Sequence, residues 1–125
     1  MTHEPFRVEA KHSPELMLFP RGSAVFFTPE AKLQRSILAH NDKLMLVEHR
    51  MEHDWVGARH SHPHDQAVYV ISGKLRFMCG EESFEAGRGD SFVVRGGVEH
   101  QAWALEASVV LDVFTPTRED YLPKR

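Results

Sequence analysis

Two histidines, His60 and His62, are separated by a single residue in the sequence. On an extended strand, residues at this spacing point to the same side and lie about 6–7 Å apart, so both imidazoles can reach one metal ion. Imidazole is the commonest transition-metal ligand in proteins. A further donor must come from elsewhere in the chain. His100 is a candidate, because it follows a turn at Gly96 and Gly97 that can bring its ring into the same cavity.

The remaining histidines are weaker candidates for metal binding or catalysis. Pro63 cannot join a strand ladder, so the orientation of His64 stays open. His49 and His53 have the four-residue spacing of a zinc-protease helix, but Arg50 stands where that motif needs glutamate and the segment resembles a strand. We interpret both as structural or exposed. The same interpretation applies to His3, His12 and His40.

A carboxylate interrupts an otherwise apolar segment near the C-terminus. With a period of two, Asp112 shares one face with Val110 and Phe114. Burying an unpaired carboxylate costs free energy. In a structural interpretation, Arg118 or another buried cation neutralises Asp112 in an ion pair. In a functional one, Asp112 is a general acid or base facing the metal cavity, with Phe114 as an apolar wall and Arg118 binding a substrate carboxylate.

Short segments rich in β-branched, aromatic and aliphatic residues must position these side chains. The predicted strands are residues 23–27, 33–39, 44–51, 67–71, 75–79, 91–94 and 108–114. Glycine turns separate several of them, and no long segment has a helical period. The pattern predicts an all-β domain, an antiparallel sandwich or barrel, over residues 23–125. Residues 1–22 are predicted to form an extended N-terminal arm.

Composition and charge exclude several functions. The 125 residues suit one globular domain, with 42% hydrophobic and 26% charged residues. The net charge is −3 and no basic cluster suits a phosphate backbone, so we expect no nucleic-acid partner. The single cysteine, Cys79, cannot form an internal disulfide, which fits a reducing compartment. No apolar segment has the length of a signal-peptide core or a membrane span, so we expect a cytoplasmic protein without a membrane partner.

The two histidine segments resemble the two motifs of the cupin family. The matching residues are His60-x-His62-x3-Gln66-x6-Gly73 and Gly89-x5-Arg95-x-Gly97-x2-His100. The resemblance implies a double-stranded β-helix, a jelly-roll barrel that holds one divalent transition metal per chain. The implied ligands are His60, His62, Gln66 and His100. Three imidazoles and one oxygen suit nickel, zinc, iron, manganese or copper. Gln66 stands where many cupins have glutamate, which leaves the ion a stronger Lewis acid.

A narrower resemblance involves the segment after the second motif. Residues 111–122, taken with residues 60–66, resemble the KdgF-type pectin degradation cupins. This implies a metal-dependent enzyme that converts 4,5-unsaturated monouronates, or a similar anionic sugar acid, to the linear keto form. By position, Asp112 becomes the proton-transfer residue, and Phe114 and Arg118 become substrate contacts. The alternatives are a metal-dependent cupin dioxygenase and a non-catalytic module that binds a small molecule or metal. Barrels of this size commonly pair, so we expect a homodimer.

Overall fold

The computed structural model describes residues 15–123, which form an all-β fold. The strands are β1 Val25–Glu30, β2 Leu33–His40, β3 Met45–Met51, β4 Asp65–Ser72, β5 Lys74–Cys79, β6 Glu82–Gly87, β7 Ser91–Val94, β8 His100–Ala104 and β9 Ser108–Thr115. A 3₁₀ turn, Glu119–Tyr121, follows β9. Among the described residues, no helix is long and apolar enough to cross a membrane. Most of the predicted arm, residues 1–14, lies outside the described residues.

The strands form two antiparallel sheets in the jelly-roll arrangement. The larger sheet has the order β1-β2-β3-β9-β4-β7, and the smaller has the order β6-β5-β8. Strand β9 lies between β3 and β4, although β4 precedes it by about forty residues in the chain. Side chains on the inward face of β9 are therefore flanked on both sides by inward side chains of other strands.

Alternation in β3 and β9 determines what faces the interior. In β3 the buried positions are Met45, Val47, His49 and Met51, and in β9 they are Ser108, Val110, Asp112 and Phe114. Around them the apolar core forms two clusters. One contains Leu33, Met51, Val68, Val70, Leu75, Ala86, Ala104 and Val110, and the other contains Ile37, Met45, Val47 and Phe114. Three polar side chains, His49, Ser108 and Asp112, are thus built into the inward rows of the central strands.

Each of the seven predicted strands overlaps an observed one, but two strands were not predicted. Strand β6 was missed because its sequence, ESFEAG, contains two glutamates and a glycine and its first four residues are exposed. Strand β8 begins with His100 and Gln101, which interrupt the apolar signal of the segment. Both strands belong to the smaller sheet, where β5 pairs with each of them.

The connection between the two sheets depends on a glycine. Gly73 joins β4 to β5 with a φ of +88°, which side chains disfavour. A Cβ atom at this position would also overlap the Ala107 carbonyl and the Ser108 side chain. The backbone of β4 and β5 therefore passes too close to the β8–β9 connection for any other residue.

Replacing Gly73 with alanine is expected to lower the free energy of unfolding by about 2 kcal/mol or more, because backbone strain and overlap both act. Gly89→Ala is the matched control, since Gly89 has the same φ of +88° and no atom within 4 Å of the added Cβ. Urea unfolding of both variants separates the overlap from the strain. Equal stability of the two variants would contradict the close approach at Gly73.

Candidate metal centre

Three imidazoles converge at the mouth of the barrel. One ring nitrogen from each of His60, His62 and His100 lies within 4.8 Å of the others. The backbones of His60 and His100 form an isolated antiparallel bridge, with N–H···O distances of 3.0 and 2.8 Å. His100 begins β8, so the smaller sheet carries one ring, and the connection between β3 and β4 carries the other two.

The segment with His60 and His62 is not the regular strand that the two-residue spacing predicted. His60 pairs only at its bridge to His100, and residues 61–64 belong to the loop before β4. The second motif holds this loop in place. The Gly97 N–H donates to the His62 carbonyl at 2.8 Å, and a Cβ atom on Gly96 would overlap the Pro63 carbonyl. The two motifs therefore touch through their backbones.

Hydrogen bonds to the backbone fix the orientation of all three rings. The Nδ1 atoms of His60, His62 and His100 lie 2.9, 3.0 and 2.9 Å from backbone carbonyl oxygens. The carbonyls belong to Ala58, His64 and Val98, in the same order. Because a carbonyl only accepts, each Nδ1 carries the hydrogen and each Nε2 keeps its lone pair. An imidazole held in this way is typical of metal ligands.

Gln66 brings an oxygen to the same group. Its amide nitrogen donates to Asp112 Oδ1 at 2.9 Å, which turns its Oε1 towards His62 Nε2 at 3.0 Å. With the hydrogen of His62 on Nδ1, both of these facing atoms carry lone pairs and neither can donate. A cation bound between them would remove this repulsion. The donor set of three Nε2 atoms and one amide oxygen therefore suits a divalent metal ion.

The electrostatics of the site favour neutral imidazoles. Burial lowers the pKa of His62, and the positive charge of Arg118 lowers it further. Burial also lowers the pKa of His100, against a hydrogen bond to the Val98 carbonyl that raises it. Neutral imidazole is the form that binds metals, so the lowered pKa values of His62 and His100 favour the form that a metal ion needs.

Asp112 is buried, and Arg118, the first of the partners that the structural interpretation allowed, does not contact it. Arg118 binds Asp120 instead, through two hydrogen bonds of 3.0 and 2.8 Å. Asp112 accepts a hydrogen bond from His49 Nδ1 at 2.6 Å as well as the one from Gln66. The predicted ion pair between Asp112 and Arg118 is thus not formed, and the buried partner of Asp112 is His49. The prediction failed because the turn after β9 provides a nearer carboxylate.

Arg118 is buried and only partly satisfied. Its Cζ atom lies 5.0 Å from the Phe114 ring centroid and 4.2 Å from that of Tyr121. Its Nη1 atom is buried and has no hydrogen-bond partner. The hydrogen bond from Arg118 also lowers the pKa of Asp120. A guanidinium with an unused donor is a ready partner for the carboxylate of a ligand.

Most of these groups line one cavity of about 240 Å³. Its polar lining includes Glu30, Arg35, His49, His60, Gln66, His100, Asp112, Arg118 and Tyr121. Its apolar lining includes Leu33, Met51, Val68, Leu75, Phe77, Phe92, Val110 and Phe114. The volume is below the roughly 300–1,000 Å³ of sites for drug-sized ligands, so the cavity suits a compound about as large as a monosaccharide.

Several histidines lie outside the group of three converging rings, and one of them, His49, lines the same cavity. His53 is exposed and pairs with Asp54 at 3.3 Å. His64 packs against His62 and Phe114, and it is not one of the three converging rings. His49, interpreted as structural or exposed, is buried in the cavity against Asp112. The alternation of β3, which buries Val47 and Met51, is the sequence signal that could have revealed it. His3 and His12 lie outside the described residues.

Comparison with known proteins places this geometry in a family. The family model described as a cupin domain matches residues 47–114. The pectin degradation protein KdgF of Dickeya dadantii (strain 3937) is 32% identical over 92 residues, covering 72% of this chain and 84% of that protein.

Solved structures agree with the family match. The structure of KdgF from Halomonas sp. has a TM-score of 0.77 and 36% identity, covering 83% of this chain and 96% of that one. An RmlC-like cupin from Shewanella frigidimarina NCIMB 400 has a TM-score of 0.79 and 30% identity, covering 83% and 95%. The chain therefore belongs to the cupin family, as a small cupin similar to KdgF.

Proposed function

We propose that this cupin is a metal-dependent enzyme that converts 4,5-unsaturated monouronates, or a similar sugar acid, to the linear keto form. One observation carries the proposal. A single cavity of monosaccharide size is lined by His60 and His100, two of the three converging imidazoles, together with Asp112 and Arg118, whose Nη1 is unpaired. The relative from Dickeya dadantii supports the substrate class, since it is a pectin degradation protein.

The reaction needs only the movement of a proton. A 4,5-unsaturated uronate is both a cyclic enol ether and a hemiacetal. On ring opening, the bond from C1 to the ring oxygen breaks, the C1 hydroxyl loses its proton, and C4 gains one. C1 and C5 then both become carbonyls, so atoms and charge balance without an oxidant or reductant. A side chain that takes up and returns a proton suffices for this chemistry.

We propose His60, His62, His100 and Gln66 as the ligands of one divalent ion, with nickel, zinc, iron and manganese as candidates. Such an ion would act as a Lewis acid on the oxygens of the substrate. Asp112 would move the proton, because its carboxylate lines the cavity. Arg118 would bind the substrate carboxylate through Nη1, and Asp120 would hold the guanidinium from its other edge. Phe114 would form the apolar wall beneath Arg118.

We also infer that the protein is a cytoplasmic homodimer. Met17 and Phe26 support the dimer, since both side chains are largely exposed near the N-terminus although they are apolar. The lone cysteine, Cys79, agrees with a reducing compartment.

The double substitution His60→Ala with His62→Ala is expected to lower metal affinity more than about 100-fold, because it removes two of three imidazoles. Elemental analysis of untagged protein should find about one ion per wild-type chain and almost none in the variant. Circular dichroism checks that the variant is folded. His53→Ala is the control, since His53 is exposed outside the site. A double variant that keeps its metal would contradict the ligand assignment.

Asp112→Asn is expected to keep the metal and lower turnover of an unsaturated monouronate about 10²–10⁴-fold, because the proton carrier is lost. The decay of the ultraviolet absorbance of the substrate measures turnover, with metal content determined on the same sample. Unchanged turnover would contradict the role of Asp112. Oxygen consumption by the wild-type protein, with no loss of the uronate, would indicate a dioxygenase instead.

Arg118→Gln is expected to raise KM for the uronate about 10–100-fold, because a charged hydrogen bond to the substrate is lost. Arg50→Gln is the matched control, since Arg50 is exposed and pairs with Glu48. Steady-state kinetics with both variants tests this role. An equal KM in the two variants would show that Arg118 does not bind the carboxylate.

A further inference from the structure

Four polar side chains form a continuous row across the inward face of the larger sheet. Arg35 on β2 donates from Nε to His49 Nε2 on β3 at 2.8 Å. His49 Nδ1 lies 2.6 Å from Asp112 Oδ2 on β9, and Gln66 on β4 binds the other oxygen of Asp112. The four strands are neighbours in the sheet order, and Arg35 and His49 are directly opposed in the register. The row joins the half-buried cation of Arg35 to the proposed metal site.

The direction of every hydrogen bond in this row follows from Arg35. The Nε atom of an arginine carries a hydrogen and has no lone pair, so His49 Nε2 must accept. A neutral imidazole has one N–H, which must then lie on Nδ1. Asp112 Oδ2 must accept that hydrogen, and the Asp112 carboxylate is an acceptor at both oxygens. The Gln66 amide nitrogen consequently faces Asp112, and its oxygen faces the three histidines.

We propose that His49 is a positioning residue for Asp112, held by Arg35 in the neutral Nδ1–H form. The role rests on the proposed function of Asp112 in proton transfer. His49 itself is not a proton carrier in this arrangement, because its Nε2 cannot take up a proton while Arg35 donates to it. Protons that reach Asp112 therefore leave through the cavity. The same row sets the orientation of Gln66, so Arg35 and His49 also influence the metal site without touching it.

The tautomer of His49 provides a test that does not depend on activity. In folded ¹⁵N-labelled protein, two-bond ¹⁵N–¹H correlations should show His49 protonated on Nδ1 alone. Arg35→Met removes the donor to Nε2 but keeps an unbranched side chain beside Tyr121. Asp112 should keep the hydrogen on Nδ1, and the ¹⁵N signal of Nε2 should move towards that of a ring nitrogen without a hydrogen bond. A wild-type spectrum with the hydrogen on Nε2 would overturn the proposal. So would an unchanged Nε2 signal in a folded Arg35→Met variant.

The second test compares two substitutions of His49. His49→Ala is expected to lower kcat about 10–100-fold with little change in KM, because Asp112 loses the donor that orients it. His49→Asn is expected to restore most of that loss, since its amide nitrogen can occupy the place of Nδ1. Equal kcat in the two variants, or an effect on KM alone, would contradict positioning. If the wild-type protein turns over no uronate, the proposed function fails. The ¹⁵N spectra of His49 still show whether Arg35 donates a hydrogen bond to its Nε2.

Discussion

Three hydrogen bonds between imidazoles and the backbone control the chemistry of this molecule. Each joins an Nδ1 atom to a carbonyl two residues away in the chain, so the local backbone alone aims each ring. The result is a set of Nε2 lone pairs that face one another inside a barrel mouth. A cation held by these nitrogens in the folded chain would add to the stability of the fold.

The central position of β9 connects the candidate metal site to Asp112, the proposed acid–base group. Asp112 lies between β3 and β4, so His49 and Gln66 reach its two oxygens from opposite sides. A sheet with β9 at its edge would leave one of these oxygens without a neighbour. The jelly-roll order therefore does more than form a barrel. It makes one carboxylate the partner of both a fixed imidazole and a candidate metal ligand.

Much of this arrangement could be predicted from the sequence, because alternation and motif spacing are local properties. The period of two in β9 predicts that Asp112 and Phe114 share one face of the strand. The spacing of His60 and His62 predicts that both can reach one ion. The partners of Asp112 could not be predicted in the same way. They depend on which strands lie beside β9 and in which register, and distant turns decide both. The pairing of Arg118 with Asp120 depends similarly on a short turn whose geometry the sequence does not specify.

The backbone contact between the two motifs also affects ion selectivity. Gly96 lies against the Pro63 carbonyl, and the Gly97 N–H donates to the His62 carbonyl, so the segments that carry His62 and His100 are packed directly against each other. Main-chain packing therefore contributes, together with the side chains, to the spacing of the imidazoles. Calcium prefers six to eight oxygen ligands at long distances. A site with three imidazole nitrogens and one amide oxygen does not match that preference.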